Sequence, residues 1–332
     1  MNWQTRVFYA TYQRVLADDP GGVMARGAFT RVLHRSTDDE LMHEVPTWRV
    51  TPVHVNCDVY CSFPVADRAP ALLEWAGTEE SRRCSHIMLV ETDYVFVHPL
   101  TASVLPPPGR ALGFPYSYII PAYPAVTPFA QQFYPDGPIS DIPPTGNAPM
   151  LLSREDFERI LPVWSDFVAR IEADERAVET LGWVRDMYAW SFAAAKVKLP
   201  HDLPSPPNSP LMVQPPADTQ AGQAAILHYT WVRGGGGGCF CSIAHVLLTH
   251  SSVGDLLQGP EIYNSSNSLV WQFDKRIYAG GQVSTYACCD GSGCCTWANL
   301  TLLFVLASTR LGRARWRGFR SRRRSWRACT CR

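Results

Sequence analysis

The chain lacks any apolar run long enough to cross a bilayer. Its longest, "LTLLFVLAS" at Leu300 to Ser308, falls well short of the about 20 residues that a spanning helix needs. The opening residues do not read as a secretory leader. Met1 is followed at once by "NWQTRVFYATYQRVL", an amphipathic helical pattern. The expectation is a soluble chain, or one whose anchor lies outside it. Charge is sparse: 18% of the 332 residues are charged against 46% hydrophobic, which argues against wholesale disorder and for a sizeable core. Acidic residues are absent from Arg310 to Arg332, a stretch with ten arginines. The rest carries 20 basic residues against 30 acidic ones, and such a body argues against general nucleic-acid binding. The basic tail by itself would suit RNA, a membrane surface, a targeting address or a disordered end. Cysteine is scarce before residue 239, where only Cys57, Cys61 and Cys84 occur. The doublets of "CCDGSGCC", Cys288 to Cys295, do not follow zinc-ribbon spacing, and the odd total of 11 leaves the redox compartment open. No internal repeat is found.

What is present reads as strands alternating with helices, the pattern of an α/β layered sheet. "GAFTRVLH", "HIMLV", "RALGFPYSYII", "MLLS" and "AAILHYT" are strand-like; "APALLEWAG" is a short helix ended by Gly77. Ser153 and Asp156 form a capping box. Phe157, Ile160, Leu161, Trp164, Phe167, Val168 and Ile171 follow at helical spacing. "AVETLGWVRDMYAWSFAAAKV" reads as one buried helix. Five consecutive glycines in "GGGGGCFCSIAHVLLTHSS" cannot hold a packed element, so this stretch reads as an insertion.

The informative stretch is "SHIMLVETDYVFVHPL". Its buried-looking strand ends in two acids, Glu91 and Asp93. In open α/β sheets, ligands bind outside the carboxyl ends of strands. Side chains two apart on an extended segment face one side, so both carboxylates would face one site. A hard divalent cation wants such oxygens and leaves positions for phosphate or water. That is the pattern of a nucleotide-sugar glycosyltransferase; the bland alternative is a polar strand end.

"MLVETDYVFVHPL", "GNAPMLL", "LGWVRDMYAWSFAAA", "MVQPPADTQAGQAAILHYT" and "WQFDKRIYAG", preceded by "NWQTRVFYATYQ" and "GAFTRVLHRSTDDELMHEVP", together resemble the plant and algal hydroxyproline O-arabinosyltransferase family. The resemblance covers roughly residues 2–232 and 261–281. Peptidyl serine α-galactosyltransferases share much of the pattern, and a non-catalytic glycopeptide-binding member would too. The resemblance implies a GT-A-like α/β fold in a Golgi or endoplasmic-reticulum type II membrane protein. It implies UDP-arabinofuranose as donor, a hydroxyproline-rich peptide as acceptor and a divalent metal, Mn²⁺ first. Glu91, Asp93 and His228 would hold the metal. Asp186 and Asn147 would serve catalysis. Asp67, Arg68, Gly146, Trp183, Lys275 and Arg276 would contact the donor. Asp186 would meet the sugar or a basic partner such as Arg185 or Lys275. Trp183 would stack on sugar or acceptor, or pack in the core.

Some features depart from the family. "DRAP", Asp67 to Pro70, stands where the family shows an Asn-Arg/Lys-Pro triplet, and Pro143 where an acid is common. The resemblance also implies a first sheet strand and an anchor ahead of Trp3, which this sequence does not show. The expected organisation is a transferase core over 1–238, a Gly/Cys insertion over 239–260, a further core piece over 261–282 and a dispensable Cys/Arg-rich tail over 283–332.

Overall fold

The computed structural model describes residues 2–53, 63–214, 218, 220–228 and the backbone of 300–306. The architecture is mixed α/β. Helix α1 (Asn2–Asp18) leads into β1 (Ala28–His34) and β2 (Thr47–Val50). Then come α2 (Arg68–Ala76), β3 (His86–Val90), β4 (Tyr94–Phe96), β5 (Ala111–Gly113) and α3 (Thr127–Phe133). The next elements are β6 (Met150–Ser153), α4 (Arg154–Glu172), α5 (Glu175–Leu181) and α6 (Arg185–Lys196). Strands β7 (His201–Asp202), β8 (Met212–Val213), β9 (Ile226–His228) and β10 (Leu300–Leu306) follow. The main sheet has seven strands in the order β2-β1-β10-β3-β6-β5-β7; a second has three, β4-β9-β8. Among the described residues, no helix is long and apolar enough to cross a membrane.

The local signals produce the expected elements where they are strong. Ser153 accepts from the Asp156 amide at 3.1 Å and starts α4 as its cap. The apolar stripe from Phe157 to Ile171 is buried throughout. It packs α4 between α2 and α6, with Trp164 and Trp190 edge to face at 5.0 Å. Burying rings of this size is the main local stabilisation, and truncating one to alanine typically costs about 3–5 kcal/mol.

Three expectations need correction. The stretch read as a strand to Pro121 pairs only over Ala111–Gly113. Pro115 removes a ladder donor, and Tyr116 to Tyr123 continue as hydrogen-bonded turns. The long second helix is two, α5 and α6, parted at Gly182, whose φ of +59° an L-residue adopts only under strain. The tail is not all outside the core. Leu300–Leu306 lies between β1 and β3, antiparallel to both, from Leu33↔Leu300 to Leu306↔His86. Backbone pairing is indifferent to sequence distance, so an apolar seven-residue run supplies a central strand from far along the chain.

The strand directions position everything that follows. β1 and β2 are parallel, β10 opposes both β1 and β3, and β6 opposes β3 and β5. The carboxyl ends of β1 and β3 and the amino end of β6 thus share one edge of the sheet.

Candidate functional site

Glu91, Thr92 and Asp93 form the connection out of β3 at this edge. The expectation that both carboxylates sit on an extended segment is corrected: Thr92 and Asp93 lie in a turn. The two acids therefore engage different partners. Glu91 Oε1 lies 3.1 Å from Arg68 Nη1. Asp93 Oδ2 lies 3.2 Å from His228 Nε2. The second contact follows from antiparallel register, since β9 pairs with β4 so that Tyr94 faces His228. The residue before Tyr94 then meets the ring at the end of β9. Nδ1 of the same ring is 2.8 Å from Gln214 Nε2. That outer partner orients the imidazole, as residues behind a metal-ligating histidine commonly do.

Arg68, at the start of α2, is the centre of a buried charge cluster. Its Nη1 is also 2.9 Å from Asp186 Oδ2. Arg68 is 9% and Asp186 2% exposed, so neither charge is screened by water. Burial pushes the Asp186 carboxyl up to about 6, Arg68 pulls against this, and Glu91 adds to the rise. Burial alone would lower Arg68, but Glu91 and Asp186 outweigh it and hold the guanidinium charged. Asp186 Oδ1 has no hydrogen-bond partner among the described residues and is a candidate for ligand contact. Arg185, offered as a partner for Asp186, binds Glu172 instead. Consecutive helical residues point about 100° apart, so Arg185 and Asp186 cannot share a face.

Gly146 and Asn147 enter the same edge just ahead of β6. A Cβ at Gly146 would meet Met187 Cε at 2.5 Å, so glycine here permits the turn to pack on α6. Thr145 fixes the turn, donating to the Phe114 carbonyl and accepting from Ser191, each at 2.7 Å. Asn147 is 2% exposed and its Nδ2 has no partner among the described residues. Asp67, also buried, lies in the turn entering α2. Trp183 is not a core residue: it is 71% exposed and its ring is tilted against Tyr118 with centroids 5.5 Å apart. Lys275 and Arg276 lie outside the described residues, as do the 239–260 and 261–282 segments.

Sequence reading missed His34, the last residue of β1. Burial first, and the Arg68 charge second, push it down to about 3, so it is neutral at this edge. The visible signal was a histidine closing an apolar strand. It also missed Tyr94, Tyr116 and Tyr118, which lie within reach of the Glu91 and Asp93 charges. Tyr94 and Tyr116 are buried, and their hydroxyls are pushed well above the usual range, chiefly by burial.

The donor set suits a cation shared with a ligand. Asp93 and His228 offer an oxygen and a nitrogen in contact, with Glu91 on the same turn. Among the described residues, no three His, Cys, Asp or Glu side chains converge as a ready metal cage. Remaining positions would have to come from diphosphate or water, as is usual for small divalent ions at phosphate sites.

Comparison with known proteins assigns the class. The chain is 32% identical over 281 residues to hydroxyproline O-arabinosyltransferase NOD3 of Pisum sativum, covering 83% of this chain and 72% of the relative. It is 33% identical over 284 residues to hydroxyproline O-arabinosyltransferase PLENTY of Lotus japonicus, covering 84% and 68%. It is 31% identical over 286 residues to hydroxyproline O-arabinosyltransferase 3 of Arabidopsis thaliana, covering 84% and 68%. These relatives are glycosyltransferases by name. The family model for the hydroxyproline O-arabinosyltransferase N-terminal domain matches residues 1–203. The chain belongs to the hydroxyproline O-arabinosyltransferase family.

Proposed function

We propose that this chain is a GT-A-like, metal-dependent transferase. It moves L-arabinofuranose from UDP-arabinofuranose to the hydroxyl of peptidyl hydroxyproline in secreted or cell-wall glycoproteins, with retention at the anomeric carbon. The observation that carries the reading is the meeting of Asp93 and His228 beside Glu91 at the carboxyl edge of β3. That edge is where α/β sheets bind nucleotides. The names of the relatives support arabinose as the transferred sugar and hydroxyproline as the acceptor.

Asp93, His228 and Glu91 are the residues that would hold Mn²⁺, which when bound supplies positive charge to the diphosphate leaving group. In the reaction the bond from the anomeric carbon to the diphosphate oxygen breaks, and one to the hydroxyproline oxygen forms on the same face. The acceptor proton passes to the departing diphosphate oxygen. The protein's part is then orientation and charge stabilisation. Asn147 Nδ2 offers a preformed donor to a sugar hydroxyl. Asp186 Oδ1 offers an acceptor, steadied by Arg68 through its other oxygen. Gly146 lets the turn that carries Asn147 approach closely. Asp67, Lys275 and Arg276 are assigned to the nucleotide and its phosphates. Localisation in the Golgi or endoplasmic reticulum belongs to the same reading.

The test is incubation of the protein with Mn²⁺ and either UDP-arabinofuranose or UDP-galactose, on hydroxyproline and serine peptides, read by mass spectrometry. Pentose added to hydroxyproline is the expected result. Hexose added to serine would move the chain to the galactosyltransferase reading. No binding of UDP with Mn²⁺ would make it a non-catalytic member.

A further inference from the structure

Resting on that reading, we infer that the exposed aromatic surface formed by Tyr118, Ile120, Tyr123 and Trp183 is the acceptor platform. It would hold a hydroxyproline-rich segment in polyproline II conformation. Four large apolar side chains here are exposed, at 40%, 47%, 57% and 71% respectively. Three lie within six residues of one another in the chain, and the fourth, Trp183, is brought to Tyr118 by a tilted ring contact. Clustered exposed apolar groups of this kind mark interaction surfaces.

The surface lies near the proposed metal site, joined to it through buried rings. His228 and Tyr94 rings are 5.0 Å apart. The Tyr94 and Tyr116 hydroxyls are partners. Tyr116 and Tyr118 rings are 5.2 Å apart, and Tyr118 reaches Trp183. One row of aromatic side chains therefore leads from the histidine beside Asp93 to the exposed indole. A segment lying on its outer, exposed end would be held close to Glu91 and Asp93, where the donor is proposed to sit and whose charges reach Tyr118.

The platform is also preorganised. The Ile120 amide donates to Tyr188 Oη at 3.1 Å, the Ile119 amide to the Tyr116 carbonyl at 3.0 Å, and the Tyr123 amide to the Ile120 carbonyl at 3.0 Å. These bonds fix the turn to α6 before any ligand arrives. A rigid aromatic surface suits a rigid ligand: polyproline II segments carry no internal hydrogen bonds and dock their flat rings on aromatic grooves at little entropic cost. Ionised groups are absent from the four side chains, which favours prolyl and hydroxyprolyl rings over a charged peptide.

The test uses a fluorescently labelled peptide of consecutive hydroxyprolines, with a glycine/serine peptide of equal length as control, titrated by anisotropy in the presence of UDP and Mn²⁺. Trp183→Ala and, separately, Tyr118→Ala should weaken hydroxyproline-peptide binding by about tenfold or more, as loss of an aromatic anchor does. Trp183→Phe should recover most of the affinity, and in the transfer assay the acceptor KM should rise more than the UDP-sugar KM. Unchanged peptide affinity in both alanine variants would overturn the inference, as would equal binding of the control peptide. If the wild type still transfers pentose in that case, the functional reading stands alone. If peptide binding depends on Trp183 but no sugar is transferred, the platform stands and the functional reading falls.

Discussion

His228 Nε2 lies 3.2 Å from Asp93 Oδ2 although 135 residues separate the two in sequence. The contact is set by backbone pairing of β9 with β4, which leaves the ring little choice of position. Gln214 holds the opposite nitrogen.

His228→Ala should lower transferase activity by on the order of tenfold or more, the usual cost of losing a metal contact. It should also raise the Mn²⁺ concentration needed for half-maximal rate. A fall in rate with an unchanged Mn²⁺ requirement would reduce His228 to a strand-end residue that packs on Tyr94.

Arg68→Met should destabilise the fold by about 3–5 kcal/mol, because Asp186 and part of Glu91 would lose their buried cation. Urea denaturation measures this. Adding Asp186→Leu should recover part of the loss, since removing both partners costs less than stranding one. Strict additivity of the two substitutions would show that the pair is not energetically coupled.

His34 predicts a pH dependence. Its ordinary pKa of 6.5 is pushed down to about 3 in the folded chain, by burial and then by Arg68. Between these values the unfolded chain binds a proton that the folded chain refuses, so stability rises with pH there. The contribution is complete above 6.5 and is lost as pH falls toward 3. His34→Gln, neutral throughout, should flatten the slope of unfolding free energy over that window. The same slope in both proteins would show that other groups set it.

A chain ending at Gln282 loses β10, which lies between β1 and β3 in the main sheet. The sequence alone predicted that this truncation would be harmless. The sheet order reverses the expectation: thermal unfolding of the truncated chain should shift down by about 10 °C or more or lose cooperativity, as removal of a central strand exposes two edges. Coincident melts would place Leu300–Leu306 outside the stable core.

Much of the architecture is local and was readable. The Ser153 cap, the α4 stripe and the apolar strand before Glu91 are each encoded within about a dozen residues, because capping and periodic burial depend on near neighbours. The acid pair and the late histidine were legible for the same reason: each closes a strand. Tertiary structure alone decided which partner each group meets. Arg68 rather than Arg185 neutralises Asp186, because helical phase turns Arg185 away while α2 brings Arg68 in from 118 residues distant. Trp183 lies outside, on Tyr118, although its surroundings in the sequence read as buried helix. β10 enters the sheet by hydrogen bonds between backbones, which carry no side-chain signature of their partner. Sequence specifies which groups a segment carries and how it coils; long-range pairing and charge burial, which depend on the whole chain, specify what those groups face.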